Sequence, residues 1–302
     1  MRGAGLPHRS PDRQAAPVHR FVDRGDGMRL WAEDLRPPDP PTGPADRGPL
    51  LLVAPANRSG ATWPDAFVEP LTQRHRVLRY DHRDTGRSGR SEDPGGYGLP
   101  ELAADALAVL DAFEVDRAHV VGVGLGGLIT QLLLLDHPHR LRTAVLASAP
   151  ALGASADPDL PRPGSAVLRL WAEADDPRDD GGELDWRVEQ SRLLSGAGAG
   201  CDAGAARALE ERALAHSGSA EPETAHLHLD PCDLDRAAEL AGVEVPTLVI
   251  EAPADPVHPP PHPAHLAAAL GDAPLVRIAG MGHGVDPSVA AAVAAAVLAH
   301  TG

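Results

Sequence analysis

Cysteine, aromatic residues and long apolar runs are all scarce in this chain of 302 residues. Its two cysteines, Cys201 and Cys232, allow one bridge at most and no disulfide framework. Neither belongs to a C-x-x-C pair or a clustered Cys/His spacing, so nothing asks for structural zinc. No apolar stretch is long enough to span a bilayer. Residues 1–20 are rich in Arg and Pro and lack the apolar segment of a signal peptide, so they read as a disordered arm and the protein as cytoplasmic. Basic residues are the minority, 27 Lys+Arg against 43 Asp+Glu, a net charge of −16. A surface that acidic argues against nucleic-acid and anionic-membrane partners. A P-loop is missing, and so is a G-x-G-x-x-G after a first strand, so no nucleotide, flavin or metal cofactor is expected. Gly122-Val123-Gly124-Leu125-Gly126-Gly127 comes close to that dinucleotide pattern, but it follows a third or later parallel strand and no acidic residue ends the next one.

What is present is a hydrophobic content of 43%, enough for a sizeable core, and 31 prolines. The Ala, Arg and Asp usage suggests a high-GC bacterial gene, such as an actinobacterial one. Order is expected from about Phe21, with Asp26-Gly27 turning a hairpin between residues 21–23 and 28–32, and a Pro-rich loop over 37–49. Short apolar runs at 50–54, 77–80, 119–123, 144–147, 247–250 and 275–278 read as strands. Helical patterns fall at 63–72, 101–113 (with Leu102, Leu107 and Leu110 inward), 125–135, 264–270 and 289–298. This alternation predicts an α/β fold with a mostly parallel, doubly wound sheet covered on both faces. Residues 151–239 break the rhythm. They lack clear strands and carry amphipathic stretches at 167–172, 186–194 and 205–216, which predicts a helical cap inserted into a core made of 21–150 and 240–302.

Gly122-Val123-Gly124-Leu125-Gly126 has the frame of a nucleophile elbow, G-x-S-x-G, with glycine where serine belongs. An apolar strand leads in and a helix leads out, which is the context the motif requires. Glycine relieves the strain of such a turn and removes the nucleophile, while the helix starting at Leu125 still points its N–H groups at the spot. After the 50–54 strand comes the small-residue loop Pro55-Ala56-Asn57-Arg58-Ser59. In this architecture that loop lends an N–H to an oxyanion hole; Pro55 has none, so Ala56 or Asn57 supplies it beside Leu125. Asp255 follows the 247–250 strand and His283 follows the last strand. The chain order elbow, Asp, His is that of a hydrolase whose Asp orients its His.

Four stretches resemble the α/β-hydrolases and, more narrowly, the bacterial methylesterases that tailor anthracycline-type aromatic polyketides. They are Tyr80-Asp81-His82-Arg83-Asp84-Thr85-Gly86-Arg87-Ser88, Leu102-Ala103-Ala104-Asp105-Ala106, Asp116-Arg117-Ala118-His119-Val120-Val121-Gly122 and Gly280-Met281-Gly282-His283. The similarity runs from about Phe21 to His300. It implies the α/β-hydrolase fold, a small aromatic polyketide-like substrate, and an Asp255 that holds His283 with one nitrogen facing the cleft.

A base, an oxyanion hole and an empty nucleophile position form a kit for proton abstraction rather than acyl transfer. The resulting expectation is a cofactor-free, non-hydrolytic tailoring enzyme forming a C–C bond or closing a ring on an anthraquinone-type polyketide. The alternatives are a serine-free methylesterase or decarboxylase, with His283 activating water, and a ligand-binding pseudoenzyme. Ser59 joins the oxyanion and substrate-binding candidates, and Trp63, Trp171 and Trp186, with Phe67, are candidates to line an aromatic pocket. Arg58, His82 and Asp84 are candidates for its mouth. Ser148, Cys201 and Cys232 are weak replacement nucleophiles. His226 and His228 share a face only on a strand, a weak metal signal.

Overall fold

The computed structural model describes residues 18–25, 27–36, 47–93, 96–154, 157–196, 202–229 and 234–302. Asp26, the greater part of the Pro-rich loop, Cys201, Cys232 and residues 1–17 of the expected arm lie outside these. In chain order the elements are β1 (Val18–Asp23), β2 (Arg29–Leu35), β3 (Pro49–Val53), α1 (Asp65–Thr72), β4 (Arg76–Tyr80), α2 (Leu99–Ala112), β5 (Ala118–Val123), α3 (Leu125–Asp136) and β6 (Leu141–Ala147). Then come α4 (Ser165–Ala172), α5 (Asp180–Leu194), α6 (Ala203–Ser217), β7 (Thr247–Glu251), α7 (His262–Ala269), β8 (Leu275–Arg277) and α8 (Ala290–Thr301). Val18, the first described residue, already pairs with β2, so residues 18–20 of the expected arm belong to β1, where backbone pairing outweighs their polar side chains.

The eight strands form one sheet in the order β1-β2-β4-β3-β5-β6-β7-β8. β1–β2 and β2–β4 pair antiparallel, and the remaining pairs are parallel. Alternating side chains sort onto two faces, as a two-residue period demands. Leu51, Val53, Leu78, Val120, Leu146 and Val249 join the core beneath α2, α3 and α7. Leu50, Leu52, Val77, Val121, Val145 and Ile250 join the core beneath α1 and α8. On α2, Leu102 and Leu110 are buried as expected, but Leu107 is only half-buried and Val109 is the buried neighbour.

Between β6 and β7 the described residues hold α4, α5, α6 and short 3-10 turns, with no strand. Helix α6 is tied to the core by side chains. Arg212 donates to the Trp63 carbonyl at 2.8 Å, and His216 meets the buried Asp81 carboxylate at 2.8 Å. The parallel strands all end on one edge of the sheet. The loops after β3 and β8 meet α5 and α6 around one cleft, and the loops after β5 and β7 approach His283 at its base. No helix among the described residues is long and apolar enough to cross a membrane.

Candidate active site

The turn between β5 and α3 is a single residue. Gly124 has φ 55° and ψ −118°, a conformation that residues with a β-carbon adopt only under strain. The turn is closed by bonds from Gly124 N–H to the Ala147 carbonyl at 3.0 Å and from Gly127 N–H to the Gly124 carbonyl at 2.9 Å. The helix packs against β3 so closely that a β-carbon on Gly126 would fall 2.1 Å from the Val53 carbonyl oxygen. A β-carbon on Gly124 would instead stand 3.1 Å from His283 Nε2 and 3.6 Å from the Pro55 side chain.

His283 is held from both ends. Its backbone N–H donates to the Leu194 carbonyl of α5 at 2.7 Å. Its Nδ1–H donates to Asp255, whose two oxygens lie at 3.0 and 3.1 Å. Asp255 is buried and also accepts the backbone N–H groups of Val257 and His258. Burial acts to raise the Asp255 pKa, but the opposing pull of His283 and His258 and these hydrogen bonds hold it below the usual carboxylate range. With Nδ1 committed to a carboxylate, Nε2 carries the lone pair and faces Gly124.

His258 was not foreseen from the sequence; its only signal there is its place three residues after Asp255. Its ring lies 5.4 Å from that of His283, and its Nδ1–H donates to the Ser148 carbonyl at 3.1 Å. Burial, then the proximity of His283, pushes its pKa down to about 3, so it is neutral near pH 7. Asp255, His258 and His283 place ligand atoms within 4.8 Å of one another, the one such group among the described residues able to hold a metal ion. A metal there would displace the hydrogen bond that orients His283.

The loop after β3 was expected to offer an N–H from Ala56 or Asn57. Asn57 has φ 57°, and its N–H donates to His226 Nδ1 at 2.9 Å. His226 returns the bond, its backbone N–H donating to Asn57 Oδ1 at 3.0 Å, while its Nε2–H donates to the Arg83 carbonyl at 3.1 Å. Burial, then neighbouring His82, pushes the His226 pKa down to about 3. The Asn57 N–H is thus already engaged, which corrects its candidacy. The Ala56 and Leu125 N–H groups have no acceptor among the described residues.

Ser59 borders the cleft as expected, but its hydroxyl is engaged. It donates to Asp81 Oδ1 at 2.5 Å and accepts from the Ala61 N–H, so it caps a turn. Trp63 and Trp171 line the cleft, together with Leu194, Leu209 and Val285. Trp186 does not; its ring lies under Arg178, 4.5 Å from the guanidinium carbon, because its side of α5 faces away. Phe67 is fully buried against Trp63. Arg58 borders the cleft, whereas His82 is buried with Nε2 on the Ala54 carbonyl, and Asp84 accepts hydrogen bonds from Ser91. The Ser148 hydroxyl is buried and reaches the Gly282 carbonyl at 3.3 Å. His226 is buried, whereas His228 is exposed beside Asp175, so the pair does not converge on a metal. The cleft is open at its mouth and walled mainly by apolar and aromatic side chains.

Residues 48–176 match the family model described as the alpha/beta hydrolase fold. A rhodomycin D methylesterase of Streptomyces peucetius is 42% identical over 292 residues, covering 91% of this chain and 96% of that protein. A second one, from Streptomyces sp. strain C5, shows the same identity and coverage. Among solved structures, a hydrolase from Pseudomonas aeruginosa superposes with a TM-score of 0.70 at 29% identity, covering 94% of this chain and 98% of the other.

Proposed function

Since the chain belongs to the α/β-hydrolase family and is a relative of rhodomycin D methylesterases, we propose that it is a tailoring enzyme acting on a polycyclic aromatic polyketide by general-base catalysis without an acyl-enzyme. One observation carries this reading. His283 Nε2, oriented by Asp255, faces the position of a side chain that Gly124 does not have. A cofactor has no part in it.

The relatives' printed activity supports a methyl ester as the group attacked. They support it better than the C–C bond formation expected from the sequence. Water takes the place of a nucleophilic side chain. His283 Nε2 removes its proton as the water oxygen attacks the ester carbonyl carbon. The Ala56 and Leu125 N–H groups hold the resulting oxyanion. Collapse expels the methoxy group, which His283 protonates, giving methanol and a carboxylic acid. Oxyanion stabilisation and binding alone leave about 10³–10⁴-fold catalysis over water when a serine triad is dismantled, so a nucleophile-free site retains chemical competence.

A second reading rests on Gly124 itself. An ester hydrolase gains nothing from lacking its nucleophile, whereas a catalyst that draws a proton from a phenol or an activated C–H needs only the base and the oxyanion donors. Removal of that proton gives a delocalised carbanion, its attack on an electrophilic carbon of the same molecule forms a C–C bond, and the proton returns to the product. Mass spectrometry of the purified protein with a carbomethoxy-bearing anthracyclinone separates the two. Loss of one methylene from substrate mass supports ester cleavage, an isomer supports C–C closure, and a covalent adduct on the chain contradicts both.

A further inference from the structure

We propose that Arg58 forms an anion subsite in this cleft, taking a carboxylate or phenolate oxygen carried by a polycyclic aromatic ligand. The inference rests on the substrate class of the preceding section. Among the described residues, four ionisable ones border the cleft: Arg58, Asp202, Asp286 and His283. Asp202 is committed to capping α6, accepting from the N–H groups of Gly204 and Ala205. Asp286 accepts from the Ser288 N–H and hydroxyl on Oδ1 at the turn before α8, and its Oδ2 is buried without a partner among the described residues. His283 is committed to Asp255 on one side and faces Gly124 on the other. Among the described lining residues, Arg58 is the one permanently cationic group.

Its guanidinium is anchored by an ion pair that leaves part of its donor fork unused. Nη1 donates to Glu210 Oε1 at 2.6 Å. Glu210 projects from α6, is fully buried, also accepts the Ser191 hydroxyl, and does not border the cleft. The carboxylate therefore fixes the arginine from behind. The other guanidinium N–H groups have no acceptor among the described residues, and the side chain is 21% exposed. A planar, pre-oriented fork with unused donors at the edge of an apolar cleft is suited to an oxygen anion. The chain's net charge of −16 would repel an anionic ligand at long range, so a fixed cation beside the Trp63 and Trp171 walls is the local means of holding one. Arg58 lies two residues after Ala56, so the subsite flanks the oxyanion loop.

The test measures quenching of tryptophan fluorescence by anthraquinone-2-carboxylate against its neutral amide, and by alizarin, titrated across its phenol ionisation, against its dimethyl ether. The expected result is at least tenfold tighter binding of an anion than of its neutral partner. In Arg58→Met that gap falls below twofold while the neutral ligands bind as before; Arg58→Lys keeps part of it. A gap confined to the carboxylate or to alizarin names the oxygen the site takes. Should Arg58→Met unfold because Glu210 loses its partner, the Arg58→Met/Glu210→Gln protein carries the same test. Equal binding of anion and neutral ligand, or a gap that survives loss of the arginine, overturns the subsite alone. If no anthraquinone binds, the polycyclic substrate class fails, and the subsite with it.

Discussion

His283 Nε2 faces an empty carbon position: a β-carbon on Gly124 would stand 3.1 Å away. The His283 ring is fixed with its Nδ1 on Asp255, and the turn opposite its Nε2 presents only backbone.

Gly124→Ser tests whether the surrounding machinery is that of an acyl-transfer site. At φ 55° the new residue is strained by on the order of 1–3 kcal/mol, and His283 must give by a few tenths of an ångström. The expected outcome is a lowered melting temperature together with a new, stoichiometric adduct with a 4-nitrophenyl phosphonate, read by intact mass. The unsubstituted protein forms none.

His283→Ala removes the base and is expected to cut turnover by about 10²–10⁴-fold, the usual worth of general-base catalysis. Asp255→Asn leaves the ring in the wrong tautomer and costs a comparable factor. Both should leave ligand affinity nearly unchanged, which separates lost chemistry from lost binding in the kcat and KM of each variant.

His226 holds the loop after β3 through Asn57. His226→Leu leaves the Asn57 N–H without its acceptor, at a cost of about 1–3 kcal/mol in stability. It also frees Asn57 to leave its left-handed conformation, so kcat falls while KM holds. His226→Gln can accept from Asn57 and donate to the Arg83 carbonyl, and should recover most of both.

Acid lability follows from the buried imidazoles. His226 and His258 have pKa values near 3 in the folded protein, below the unfolded value of about 6.5. Between those limits the unfolded chain binds more protons, so their stabilisation is complete above about pH 6.5 and is lost as pH falls towards 3. Each contributes a slope of up to about 1.4 kcal/mol per pH unit in that window. Asp255, with its depressed pKa, adds a further loss as pH falls through its folded value. Urea unfolding between pH 4 and 7 should show a steep dependence that becomes shallower by one proton in His226→Gln.

The strands that build the site were legible because their apolar runs and alternation are local properties. β3, β5 and β7 fall where the pattern places them, and so do the residues just after them. The helices over 151–239 were legible as amphipathic stretches, but not their facing. Trp171 and Trp186 look alike in sequence, yet one lines the cleft and the other lies under Arg178. Asn57 could not be eliminated as an oxyanion donor because the imidazole that engages it is 169 residues away. The Arg58–Glu210 pair, 152 residues apart, was hidden for the same reason. Ser59 looked available until the fold brought Asp81 against it.

The most direct test of base catalysis without a covalent intermediate is rapid-quench intact mass spectrometry during turnover of the anthracyclinone methyl ester, run with His283→Ala in parallel. The account predicts product from the unsubstituted protein with the chain mass unchanged at every time point, and product formed at least about 10²-fold more slowly by the variant. An acylated chain, or full activity without His283, would contradict it.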